Sequence, residues 1–401
     1  MFTVMTENPT VAAPVLRYRI LRSVAEVTAT DWDRCANAPG AEASERFNPF
    51  LAHAFFRALE ESGSIGGTTG WSGAYAAVFD SGGRLVAVAP SFLKTHSMGE
   101  YVFDQRWAEA YARAGGRYYP KIQVATPFTP VTGRRLLYAP DAPGATRDAL
   151  IAALGGLNDR IGASSIHVAF PTETDSAALE TAGFLPRIGV QFHFFNEGYR
   201  DFDDFLDRIP ARKRKAIRRE RRAALGDDLE IDLLTGPEIE PRHWAAFYDF
   251  YLSTAVRKWG QPYLTRGFFE RIGALMPERV LLVMARRGAD YIAGAINFLG
   301  DDAIYGRNWG ALEDRPFLHF EVCYYQAIDF AIRRGYRRVE AGAQGEHKLA
   351  RGYRPVVTRS AHAFADPALR DAVADYLRRE TPAVAALIGQ ATAALPFRAE
   401  K

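Results

Sequence analysis

Short apolar runs, alternating or continuous, are separated along the whole chain by stretches of helical period, which predicts a mixed α/β or α+β architecture. In the first half YRILR, AYAAVFD and RLVAVAPSFLKTH read as strands, the last two forming a β-hairpin through Asp80-Ser81-Gly82-Gly83. Helices are predicted near 103–114 and 145–160, followed by the strand SSIHVAF, a short helix near 176–182 and the strand GVQFHFF. The second half opens with polar helical stretches and EIDLLTG, then helices around 242–259 and 265–276 and a meander of VLLVMARRG, YIAGAINFLG and AIYGRNWG. A helix is predicted from Pro316 to just before Gly335, then RRVEA and VVTRSAHAF, and a last helix starting near Asp366-Pro367 and interrupted at Pro382.

The two halves echo each other. SSIHVAF precedes TAGFLPRIGVQFHFF in the first, and RRVEA precedes ARGYRPVVTRSAHAF in the second. Each time a strand leads through Gly-aromatic-x-Pro to an apolar strand carrying His193 or His362. A duplicated unit accounts for this, with an N-terminal unit at 1–196 and a C-terminal unit at 197–401 that includes a basic helix at 211–225 and the C-terminal helix.

A meander, a helix, a further strand and Gly-aromatic before a last strand is similar to the GNAT acyltransferase fold. Two such units in tandem look like the FemAB group of aminoacyl-transferring enzymes. The segments HSMGEYVFDQRWAEAYARAGGRYYPKIQVATPFTPVTG, RKWGQPYLTRGFF, PFLHFEVCYYQAIDFAIRRG and EAGAQGEHKLARGYRP resemble a FemAB-like family of predicted N-acyltransferases labelled as peptidoglycan biosynthesis or recognition proteins, from about 48 to 398. The resemblance implies a tandem duplicated GNAT-like fold with mixed central sheets flanked by helices, and transfer of an acyl group to an amine. The chain departs from the pattern of GNAT enzymes that use acyl-CoA at Arg307-Asn308-Trp309-Gly310-Ala311-Leu312, where Leu312 stands in place of a small residue. Acyl-CoA, acyl carrier protein and aminoacyl-tRNA therefore all stay open as donors, tRNA the least favoured, and a non-catalytic recognition module is the remaining alternative.

Composition narrows the picture little. A formal net charge of +3 over 401 residues demands no global polyanion role, so charge must act locally. The run RKRKAIRRERR, with eight basic residues in eleven, is the densest patch; Arg212 and Lys213 are its donor-binding candidates. Two distant cysteines predict neither a disulfide framework nor a zinc site, and the eight histidines hold no HExxH or pair at helical ligand spacing, so no metal is expected. Cys323 reads as a packed core residue and a covalent acyl-enzyme is disfavoured. The N-terminus lacks a signal-peptide pattern and no run approaches the ~18 apolar residues of a spanning helix, so the expectation is a cytoplasmic protein, soluble or in peripheral membrane contact.

Chemistry concentrates in EAGAQGEHKLARGYRP. Its glycines let backbone amides approach an anion, and Lys348 and Arg351 can add charge-assisted bonds to donor phosphates. An amine nucleophile arrives as ammonium and must lose a proton, a task for Glu346 or His347. Tyr324, Tyr325 and Tyr353 are candidates to protonate the leaving group, Tyr353 being preferred. Arg307, Asn308, Trp309 and His319 join the expected donor site. On the acceptor side stand His96 and the pair Glu100 and Asp104, whose spacing would place both carboxylates on one helical face, together with Arg257 and Trp259. The acceptor is expected to be a small-molecule or lipid amine, with no permanently bound cofactor.

Overall fold

The computed structural model describes residues 15–38, 46–259, 261–342 and 345–397, with the backbone alone at Lys258, Trp259 and Glu346. Its strands are β1 (Arg17–Leu21), β2 (Trp71–Gly73), β3 (Tyr75–Phe79), β4 (Leu85–Ala89), β5 (Ser91–Lys94), β6 (Lys121–Val124), β7 (Leu137–Tyr138), β8 (Ser165–Ala169), β9 (Leu185–Phe195), β10 (Glu230–Thr235), β11 (Val280–Arg287), β12 (Asp290–Leu299), β13 (Ala303–Ala311), β14 (Arg338–Glu340) and β15 (Arg354–Phe364). The helices are α1 (Ala29–Ala36), α2 (His53–Glu61), α3 (Gln105–Arg113), α4 (Thr146–Ile161), α5 (Glu173–Thr181), α6 (Phe202–Asp207), α7 (Ala211–Leu225), α8 (Pro241–Trp259), α9 (Arg266–Leu275), α10 (Leu318–Phe320), α11 (Gln326–Arg334) and α12 (Pro367–Ala393).

Eleven strands form one sheet in the order β10-β11-β12-β13-β14-β9-β15-β8-β6-β5-β2, and β1-β3-β4-β7 form a second. The hairpin around Asp80 crosses between them: β2 and β3 separate at Ala74, β4 and β5 at Pro90, which has no N–H to continue a ladder.

The middle of the large sheet explains the internal echo. The last strand of each unit, β9 or β15, has eleven residues, and these pair with each other antiparallel from Leu185↔His362 through Gly189↔Thr358 to His193↔Arg354. Outward, β9 pairs with β14 of the second unit and β15 with β8 of the first, so the units exchange their last strands. His193 lies opposite Glu340, and His362 opposite His167, which makes the two histidines register equivalents. The units share a core as well: Phe50 and Phe55 contact Phe298, Tyr305 and Phe268 at ring-centroid distances of 4.8–6.1 Å.

Three local expectations are corrected. Phe317 takes a left-handed conformation (φ 64°), so the helix starts at Leu318 rather than Pro316, and it widens into a π-turn over Glu321–Tyr325 before α11. α12 runs through Pro382 without a break; the proline is exposed, and the carbonyl deprived of its N–H belongs to the exposed Arg378, where water can satisfy it. Glu100 and Asp104 precede α3 instead of sharing its face, because Tyr101 is left-handed (φ 60°).

Candidate active site

The site grows from a parting of strands. β13 and β14 run parallel only from Ala303↔Arg338 to Tyr305↔Glu340. β13 then continues along β12 through a bulge, with Asn297↔Gly306 and Ala295↔Trp309 leaving Arg307 and Asn308 opposite Ile296 alone. The chain after Glu340 turns away at Gly342 (φ 78°). The buried Lys348 ammonium holds that turn, donating to the carbonyls of Ala341 (2.6 Å) and Gly342 (3.0 Å). Between the parted strands lies a cavity of about 430 Å³.

Both units wall it. Gly306 to Trp309, Ala341 and Gly342 form one side, with His319, Cys323 and Tyr324 from the irregular helix start. Tyr251 and Thr254 of α8 close another side, and the first unit contributes Ser97 to Gly99, Tyr101, Phe103, Gln105, Phe128 and Pro130. β13 can lie this close to α8 because of Gly310, where a Cβ would stand 1.8 Å from the Phe250 carbonyl oxygen.

Of the donor-side candidates, Arg307, Asn308, Trp309 and His319 line the cavity, and the His319 ring lies 5.2 Å from those of both Trp309 and Tyr324. Burial lowers the Arg307 guanidinium to about 10. Lys348 and Arg351 are committed to the protein, which removes the phosphate-binding role the sequence suggested for them. Burial takes Lys348 down to about 8. Arg351 bonds Glu220 (2.8 Å) and the His347 carbonyl (2.8 Å) and lies 3.4 Å over the Phe320 ring. Arg212 and Lys213 are exposed on the first turn of α7 and form no part of the cavity wall.

His347 is exposed, and its Nε2 lies 3.0 Å from the Tyr324 hydroxyl. Burial, then Arg351 and Lys348, lowers its pKa, so the imidazole is neutral near pH 7; burial raises that of Tyr324. Gly345 (φ 121°) makes room for this ring, since a Cβ there would lie 2.6 Å from His347 Cε1. Tyr353, preferred from sequence as the proton donor, is fully buried, ring-packed on Tyr324 (5.6 Å), and away from the cavity wall, which Tyr324 lines. Tyr325 is also buried, its hydroxyl donating to Glu220. The side chains of Glu346 and Trp259 lie outside the described residues.

The acceptor-side carboxylates stand behind the cavity wall. Lys121, unnoticed in the sequence, donates to Glu100 (2.7 Å), Asp104 and Ser97 Oγ (2.9 Å), and Lys94 sits 3.7 Å from Glu100. Burial pushes Glu100 up to about 7 and Lys94 down to about 7. Burial also works against the Asp104 carboxylate, but Lys121 and His167 outweigh it and lower its pKa. Asp104 accepts from Tyr118 (2.8 Å), whose hydroxyl lies 3.2 Å from His167 Nε2; His167 Nδ1 meets His362 Nδ1 at 2.7 Å. This network anchors the 97–105 segment that walls the cavity. His96 is fixed by Thr69 O (2.9 Å) and Lys94 (3.2 Å), while Arg257 is exposed and bonds Ser253 O (3.0 Å). Cys323 is half-buried, packing against the core as expected and lining the cavity as well. Asn297 in AGAINFL was a readable signal, a polar residue inside an otherwise apolar buried strand, and Lys121 opens the buried strand KIQV.

A duplicated mixed sheet that parts beside its fourth meander strand, with an aromatic cavity at the parting, defines a tandem GNAT-like fold. The chain matches the FemAB-like model, described as peptidoglycan biosynthesis/recognition, over residues 23–399, and it belongs to that family. Its fold is similar to that of FemX (TM-score 0.52, 12% identity, 87% of this chain and 98% of FemX). It is also similar to a conserved protein of unknown function from Bacteroides thetaiotaomicron VPI-5482 (TM-score 0.50, 12% identity, 87% and 100%). A tandem GNAT protein from the clavulanic acid biosynthesis pathway aligns with TM-score 0.45 and 14% identity over 88% of this chain and 99% of that one. No curated protein matches in sequence. Among the described residues no helix is long and apolar enough to cross a membrane, and no His/Cys/Asp/Glu group is arranged to hold a metal.

Proposed function

We propose that the protein is an N-acyltransferase that takes an acyl group from a thioester, carried by coenzyme A or an acyl carrier protein, and passes it to an amine inside the cavity between β13 and β14. The observation that carries this reading is the parting itself: an exposed strand edge at Gly306 to Trp309 offers backbone N–H groups to a carbonyl oxygen, in a cavity lined largely by aromatic and small residues. The neutral amine attacks the thioester carbonyl carbon, a C–N bond forms, and the oxyanion is held by a strand N–H, a contribution on the order of 10²-fold in rate or more. The C–S bond then breaks. Tyr324 gives its proton to the departing thiolate and is reprotonated through His347 by the proton the amine gave up. Glu346 remains a proposed first base for the ammonium, on its place beside His347.

Aminoacyl-tRNA as donor is the second reading, favoured by α7. Arg212, Lys213, Lys215, Arg219 and Arg222 are exposed and have no ion-pair partner among the described residues, while Arg221 on the same helix reaches Glu321 (2.9 Å) beside the cavity. Native mass spectrometry of the purified protein, followed by transfer assays with the retained donor, tests the proposal. A bound thioester whose acyl group moves to amines, with Tyr324→Phe slowing transfer about 10²-fold or more, supports it. RNase-sensitive transfer selects the second reading, and a tightly held ligand that is never turned over refutes both.

A further inference from the structure

The cavity's lining carries one formal charge, and the carboxylate that acts on it, Glu340, is buried on β14 behind the wall. Arg307 is the single Arg or Lys among its described lining residues, and no Asp or Glu lines it. The guanidinium cannot shed its charge under ordinary conditions, yet it makes one hydrogen bond, from Nη1 to the carbonyl of its neighbour Gly306 (2.8 Å); Nε and Nη2 bond to nothing in the protein. Its faces are apolar, with Phe50 at 4.7 Å and Tyr305 at 5.8 Å. A buried cation with unused donors is costly unless an anion completes it. Opposite, in register with Gly306, Asn297 turns its amide nitrogen toward Leu281 O (3.5 Å) and leaves Oδ1 without a donor.

We infer that the cavity binds an acceptor carrying both an amine and a carboxylate, the carboxylate on Arg307 and an amine N–H on Asn297 Oδ1. This rests on the transfer reading for the word acceptor, but the recognition stands apart from catalysis. A simple ammonium would meet Arg307 with no carboxylate on the lining, only the buried Glu340 behind it. A donor diphosphate would bring more negative charge than one guanidinium balances. A zwitterionic amino acid, or a peptide end presenting both groups, matches the single cation among the described lining residues and the unpaired Asn297 Oδ1.

The test is equilibrium binding to the full-length protein without any donor, by calorimetry. Glycine, L-lysine and L-phenylalanine are each compared with methylamine, cadaverine and 2-phenylethylamine, which lack the carboxylate. At least one amino acid is expected to bind roughly 10- to 150-fold more tightly than its amine, the range of a charged hydrogen-bonded contact. Arg307→Gln should abolish that preference while leaving affinity for the bare amine equal or higher. Arg307→Lys, which keeps charge but loses the planar fork, should retain part of it, and circular dichroism verifies that both variants fold. Equal binding within all three pairs, no binding of any amino acid, or a preference that survives Arg307→Gln would overturn the inference. A carboxylate preference in a protein that transfers no acyl group would sink the transfer reading alone; transfer to amines regardless of a carboxylate would sink this inference alone.

Discussion

Replacing Lys121 by Met removes the ammonium that Glu100, Asp104 and Ser97 share, at a position with no solvent access. Glu100 and Asp104 are 3% and 2% exposed, so water cannot take over. Removing one partner of a buried ion pair typically costs about 3–5 kcal/mol. With unfolding entropy of about 2.1 cal/mol/K per residue, the 401-residue chain gives ~0.8 kcal/mol per kelvin, so the melting midpoint should fall by roughly 4–6 °C at pH 7. Differential scanning calorimetry measures it. Neutralising the stranded acids in Lys121→Met/Glu100→Gln/Asp104→Asn should recover most of the loss. The sign with pH is fixed for Asp104: its folded pKa lies below its unfolded value, so its contribution is complete above the usual aspartate range and disappears as pH falls through the lower folded value, whereas Glu100, raised to about 7, acts in the opposite sense as pH rises from 4.5 toward 7. The mutant should therefore lose ground to wild type at neutral pH and approach it in acid. A midpoint shift under 1 °C, or a triple variant no better than the single, would show that the network does not hold the 97–105 wall.

Gly310→Ala forces a Cβ into the α8 backbone at Phe250 O and should cost about 3 kcal/mol or more, read as a lower urea midpoint or loss of soluble protein. His167 and His362 are fully enclosed and held neutral by burial, His167 down to about 3, so both must gain protons on unfolding below their unfolded value near 6.5. Stability should then fall with decreasing pH from about 6.5 toward 3, by up to ~1.4 kcal/mol per pH unit per site, and His167→Asn/His362→Asn should flatten that limb in urea titrations. Reversing Arg212, Lys213, Lys215 and Arg219 to Glu should raise the donor KM about 10-fold or more with kcat within about 2-fold, and should weaken the salt dependence of donor binding.

Much of the fold was legible because periodicity reports burial. The hairpin at Asp80, the meander and both terminal strands of the duplication follow from alternation and turn residues. The strand exchange was not readable, since β9 and β15 offer the same apolar faces whether each closes its own unit or the other's. The helix start at Leu318 and the path of α12 through Pro382 depended on tertiary surroundings that propensity does not encode. In the candidate site Arg307 to Trp309 were reached through the resemblance to the GNAT donor motif. Lys348 and Arg351 misled because a cation in a glycine-rich loop looks the same whether it awaits an anion or caps its own chain's carbonyls. Glu100 and Asp104 were noticed without the lysine that claims them, because Lys121 is brought to them only by the pairing of β5 with β6.

The central claim is that acyl transfer happens where β13 leaves β14. A crystal structure with a non-hydrolysable acyl-thioester analogue measures this directly. The account predicts the analogue's carbonyl oxygen within hydrogen-bond distance of a backbone N–H between Gly306 and Trp309, its sulfur on the Tyr324 side. Density for the acyl group in the first unit, or on the outer face of the sheet, would contradict it.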